Sequence, residues 1–126
     1  MSGAGTDGNA GYGLTVRWSL HEADAGVAQA LRDYVTGTSI ARFSGMAGLR
    51  FKVWRMIDGE WFEGTYVFAG AEERDAFAAS FRAEADDAPG SLLVGSGPEL
   101  IEPFEVVAVA EGGAGFVTGA GPGRAG

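Results

Sequence analysis

The chain has no cysteine, a single histidine and a single lysine in 126 residues. Without cysteine there is no disulfide framework, no thiol nucleophile and no thiolate metal site, and one histidine cannot build a His-rich cluster. No carboxylate spacing points to Mg²⁺ or Ca²⁺ either, so neither a metal nor a cofactor is expected. Positive charge is scarce: 9 Lys and Arg stand against 17 Asp and Glu, for a formal net charge of −8. Nucleic acid and anionic membranes need clustered positive charge, so neither is an expected partner. No apolar run reaches the ~20 residues that span a bilayer, and the N-terminus lacks the basic and apolar regions of a secretory signal. A cytoplasmic protein is expected. Abundant Ala and Gly, with Arg almost everywhere in place of Lys, suggest a GC-rich bacterial genome.

Glycine is plentiful but unevenly placed. Met1 to Gly13 and Gly112 to Gly126 are dominated by Gly, Ala and small polar residues without apolar periodicity, and read as disordered tails. The folding unit is then residues 14–111, one domain with one core. Gly112-Gly113-Ala114-Gly115 and Gly119-Ala120-Gly121 do not lie between a strand and a helix, so they offer no helix N-terminus to a phosphate.

Leu49 to Phe68 holds two alternating runs joined by Asp58-Gly59, the strongest short-range hairpin signal, since a type I′ turn needs positive φ at both central residues. Pairing Ile57 with Glu60 sets Met56 against Trp61, Trp54 against Glu63, Lys52 against Thr65 and Arg50 against Val67 on one side. Phe51 then faces Tyr66, Val53 faces Gly64 and Leu49 faces Phe68 on the other, with Arg55 and Phe62 nearer the turn. A one-residue slip would exchange these sets. An open, solvated face has little reason to carry Trp54 and Trp61 among charges, so that face is expected to line a cavity or a dimer interface.

Around the hairpin, Leu14 to Leu20 alternates as a strand, and Val27, Leu31, Tyr34, Val35 and Thr38 recur at helical spacing within Ala23 to Arg42. A second helix, Glu72 to Ala85, carries Phe77 and Phe81 at i and i+4. Asp86 to Pro98 reads as a loop, and Phe104 to Ala110 as a last strand started by Pro103. The order β-α-β-β-α-β implies a ferredoxin-like α+β sandwich, a four-stranded antiparallel sheet with its helices on one face. Its other face must be hidden, most economically by a homodimer with the sheets face to face.

Gly48-Leu49-Arg50-Phe51-Lys52-Val53-Trp54, then Glu63-Gly64-Thr65-Tyr66-Val67-Phe68, a helix and Glu102-Pro103-Phe104-Glu105-Val106-Val107, together resemble the YdhR-like monooxygenase family. That family belongs to the dimeric α+β barrel superfamily, with the antibiotic-biosynthesis monooxygenases. The matching positions are Lys52, Trp54, Gly64, Tyr66 and Phe68; the family has a small residue in the place of Glu63, and the Gly-rich tails are foreign to it. The resemblance implies a cofactor-free monooxygenase of secondary metabolism, acting with O₂ on an aromatic or polyketide-like substrate.

Such chemistry needs a base, a placed charge for the substrate anion and a dry pocket. Lys52 is the candidate for the charge, or else a partner of Glu63 diagonally across the ladder. His21 or Glu63 is the candidate base. Trp54, Trp61 and Tyr66 are candidate platforms for a flat substrate, or packing residues, and Arg17 and Arg50 candidate partners for a carboxylate or phenolate. The same residues would serve a non-oxidative isomerase, cyclase or lyase, and a small-molecule-binding module without catalysis is the third reading.

Overall fold

A computed structural model describes residues 9–121. Strand β1 (Tyr12–Ser19) leads to α1 (Val27–Tyr34), which runs through a π-helical turn, Val35–Ser39, into α2 (Ile40–Phe43). The hairpin β2 (Leu49–Ile57) and β3 (Trp61–Phe68) follows, then α3 (Ala71–Ala83), a 3₁₀ turn at Ala85–Asp87, α4 (Pro89–Val94) and β4 (Leu100–Glu105). The strands form one antiparallel sheet in the order β2-β3-β1-β4. This is the expected ferredoxin-like α+β fold.

One side of the sheet carries Leu14, Val16, Trp18, Phe62, Tyr66 and Phe68, all buried, against Leu31 of α1, Phe43 of α2, Ala78 of α3 and Val94 of α4. Alternation along β1 puts Leu14, Val16 and Trp18 on this side, as its sequence pattern requires.

The hairpin register differs from expectation by one residue. Ile57 pairs with Trp61, so the loop holds three residues, and the Glu60 N–H donates to the Ile57 carbonyl at 2.9 Å. Gly59 has φ +80°, while no described non-glycine residue has positive φ. Asp58 therefore stays on the negative side, which rules out type I′ and leaves Gly59 in the place where a type II turn needs it. Lys52 now faces Tyr66, Trp54 faces Gly64 and Met56 faces Phe62, whereas Arg55 faces Glu63 and Val53 faces Thr65. A bulge between Leu49 and Phe51 absorbs the extra residue, so Leu49 still pairs with Phe68.

Three boundaries also differ. Tyr12 and Gly13, expected in the N-terminal tail, belong to β1, where the ring of Phe104 covers the place a side chain on Gly13 would take. β4 runs over Leu100–Glu105 with Pro103 inside it, tolerated because β4 is an edge strand. The expected loop 86–98 contains α4, whose Ser91 accepts a 2.9 Å hydrogen bond from Trp18 Nε1 and donates at 2.6 Å to the Ala85 carbonyl. The expected tails otherwise fall partly outside the described residues, while Phe116 packs on Phe51 with ring centroids 6.0 Å apart.

Gly13→Ala would drive a methyl into the Phe104 ring. It should destabilise the fold by roughly 1–3 kcal/mol, the usual scale of overpacking, with much of the loss recovered in Gly13→Ala/Phe104→Ala. Chemical denaturation of the two variants checks this coupling.

Candidate active site

The register sorts the candidate residues onto two faces. Lys52 and Trp54 lie on the helix side with Tyr66; Glu63, Trp61 and Arg17 lie on the open side with Arg55. Lys52 and Glu63 are therefore not partners across the ladder, and Trp54 and Trp61 do not share a wall.

On the open face, Glu63 is 2% exposed. Arg17 donates to Glu63 Oε1 from Nε at 3.0 Å and from Nη2 at 2.7 Å. Arg55 reaches Oε2 at 2.9 Å from Nε and 2.8 Å from its terminal nitrogen, and Thr65 Oγ1 donates to the same oxygen at 2.6 Å. Burial alone would raise this carboxyl's pKa, but the hydrogen bonds from Thr65, Arg17 and Arg55 and the Arg55 charge outweigh it and hold the group below the usual carboxylate range. Trp61 lies beneath both guanidinium groups, 4.3 Å from Arg17 and 4.9 Å from Arg55. With its lone pairs taken by three donors, Glu63 is a structural anion; a base needs a free one.

On the helix face, Lys52 Nζ sits among ring faces, 3.7 Å from the centroid of Phe43, 4.3 Å from Tyr66 and 4.5 Å from Trp54. Gly64 makes room for it: a Cβ there would lie 3.1 Å from Lys52 Cε. Among the described residues, no carboxylate forms an ion pair with Lys52. Burial, helped by the positive charge of Arg42, pushes its amine from 10.5 down to about 6. The ring faces favour the ammonium form by ~0.5–2 kcal/mol, about one pKa unit, too little to restore an ordinary lysine. Burial likewise pushes the Tyr66 phenol well above its ordinary value; Arg42 opposes the shift and Tyr34 adds to it. At neutral pH this side therefore offers a free amine beside a protonated phenol.

Lys52 also lies between two spaces. An inner cavity of about 40 Å³ is bounded by Tyr34, Ser39, Arg42, Tyr66, Phe77 and Phe81, enough for a water molecule. A groove of about 980 Å³ runs along β2 between α1, α2 and residues 116–121, within the size of small-molecule sites. Phe43, Lys52, Trp54 and Phe62 border both.

The other candidates fall elsewhere. His21 is exposed in the turn after β1, its N–H on Ser19 Oγ at 3.2 Å, and borders neither space. Arg50 is exposed at the bulge beside the groove, its Nη2 3.5 Å from the Asn9 carbonyl. The sequence reading missed Ser39, Arg42 and Phe43. The π turn adds a residue to the helical period, so Ser39 is buried where α spacing selects Thr38, which is exposed. Gly37 inside that helix was the available signal. Among the described residues, no three His, Cys, Asp or Glu side chains gather as a metal site, and no helix is long and apolar enough to cross a membrane.

Comparison with known proteins adds to the fold alone. No family model and no curated protein matches the chain. A protein of unknown function from Nitrosomonas europaea, NE2512, has a similar solved structure: 24% identity, TM-score 0.57, covering 79% of this chain and 92% of that one. A Chloroflexus aurantiacus protein, provisionally named an antibiotic biosynthesis monooxygenase, matches at 17% identity and TM-score 0.47 over 79% of this chain and 95% of its own. That likeness is too weak to carry an argument.

Two stability measurements check the opposed charge environments. Lys52 holds its proton in the unfolded chain up to about 10.5 but loses it near 6 when folded, so stability should rise with pH between those values, by at most about 1.4 kcal/mol per unit. Lys52→Met should lack that slope and exceed wild type most at and below about pH 6. The Glu63 carboxyl is lowered on folding, so its contribution should be full above the unfolded value and lost as pH falls through the folded one. Glu63→Gln, which strands two guanidinium groups, should cost about 3 kcal/mol at pH 7. Denaturation at pH 6.5 and 9, and acid titration of both proteins, read these effects.

Proposed function

We propose that this chain is a cofactor-independent monooxygenase acting on a flat aromatic or polyketide-like molecule. The observation that carries the reading is the Lys52 amine, set among ring faces where the groove meets the inner cavity, with burial lowering its pKa to about 6. A general base is most effective with a pKa near working pH. The likeness of the hairpin sequence to the YdhR-like family points the same way.

A substrate lying in the groove would stack on Phe43 and Trp54. Lys52 would take a proton from a CH₂ next to a carbonyl or aryl ring, and the resulting ammonium would hold the carbanion beside it. That carbanion gives an electron to O₂ lodged in the inner space, the two radicals join, and loss of water from the hydroperoxide leaves a carbonyl. The balance is CH₂ + O₂ → C=O + H₂O, the reductant being the substrate itself. In this reading the base is Lys52, in place of His21 or Glu63. The open sheet face, where Val53 is 44% and Ile57 47% exposed, would seat a second copy of the chain face to face.

The experiment is oxygen uptake with anthrone- and naphthol-like substrates, with mass spectrometry of the products. One O₂ consumed per product supports the reading; conversion without uptake replaces it with a proton-transfer enzyme using the same amine. Lys52→Met should lower turnover by roughly a hundredfold, the scale of removing one placed charge, while the protein stays folded.

A further inference from the structure

We propose that Lys52 also captures aromatic aldehydes and ketones from the groove as a reversible imine. This goes beyond the oxygenase reading and requires no oxygen.

Nζ touches ring faces and no carboxylate ion pair is formed among the described residues, so its lone pair is not committed to a salt bridge. The facing charged and titratable groups are Arg42 next to α2's Phe43, Tyr34 of α1 and Tyr66 of β3; α3 presents Phe77 and Phe81. None of these is a carboxylate, and a desolvated lysine near another cation is the arrangement that activates amines toward carbonyls. A burial-lowered pKa of about 6 agrees with this geometry.

Phe43, Lys52 and Trp54 all line the groove of about 980 Å³, so a flat carbonyl compound stacked there would present its carbonyl carbon to Nζ. The Nζ–C bond forms, and the carbonyl oxygen departs as water with the two amine hydrogens. No electron is transferred. The inner cavity of about 40 Å³ has room for that water, and the Tyr66 phenol bordering it keeps its own proton while offering the leaving oxygen a hydrogen bond.

Lys52 is the only lysine of the chain, which makes a direct test possible. Full-length protein is exposed anaerobically at pH 6.5 to 2-naphthaldehyde and cyanoborohydride, which fixes an imine as a secondary amine, and the labelled peptide is mapped. Ala79→Lys places an ordinary amine on the exposed side of α3 as an internal reference. Lys52 should be labelled faster than that reference by roughly tenfold or more, the direction set by a desolvated amine, and Lys52→Arg should lose the fast label. Equal or slower labelling at Lys52 would overturn the proposal. Fast labelling by a protein that consumes no oxygen would keep this inference and remove the oxygenase reading, so the two fail separately.

Discussion

Because strand side chains alternate between faces, the third residue in the turn between β2 and β3 decides which side chains can meet. With Glu60 in the loop and Ile57 opposite Trp61, Tyr66 joins Lys52 on the helix side and Glu63 joins Arg17 and Arg55 on the open side. The expected two-residue turn would have put Glu63 on the same side as Lys52, a counter-ion that would have held it protonated. The bulge at Arg50 confines the slip to the strand between, where both charge clusters sit.

The sheet thus treats a buried carboxylate and a half-buried amine in opposite ways. Glu63 is taken from water but meets two guanidinium groups and a hydroxyl, so it remains ionised. Lys52 is taken from water and meets ring faces and a neighbouring Arg42, so it releases its proton. Replacing a solvating environment by aromatic faces alone recovers a small part of the desolvation cost of an ammonium. The first arrangement fixes geometry across three strands; the second sets an amine with a lowered pKa at the edge of a groove.

The β-α-β-β-α-β order was legible because its main elements carried their own periods: Leu14 to Leu20 alternating, Phe77 and Phe81 one helical turn apart, Leu49 paired with Phe68. Lys52 and Trp54 as neighbours on one face followed from β2 alone. The partners from β3 did not, since Asp-Gly suits both a two-residue and a three-residue loop and local sequence holds nothing to choose between them. Burial chooses: Phe62, Tyr66 and Phe68 share a face in either register, and the longer loop sets Trp54 and Met56 inward with them while Val53, Arg55 and Ile57 stay exposed. Ser39 and Phe43 were hidden by the π turn, a one-residue change of phase that propensity does not encode. α4 escaped notice because Pro89-Gly90-Ser91 reads as a turn, while its helix is anchored by a distant partner, Trp18.

Because the chain contains one lysine, the side-chain amine can be titrated without ambiguity. Lysine labelled with ¹³C at Cε and ¹⁵N at Nζ should give a single pair of side-chain resonances in the folded protein. The account predicts that they titrate with a midpoint near 6, moving to the ordinary range when the chain is unfolded. A folded-state midpoint near 10.5 would mean that Lys52 stays protonated at neutral pH, and it would contradict both the base and the nucleophile assigned to it.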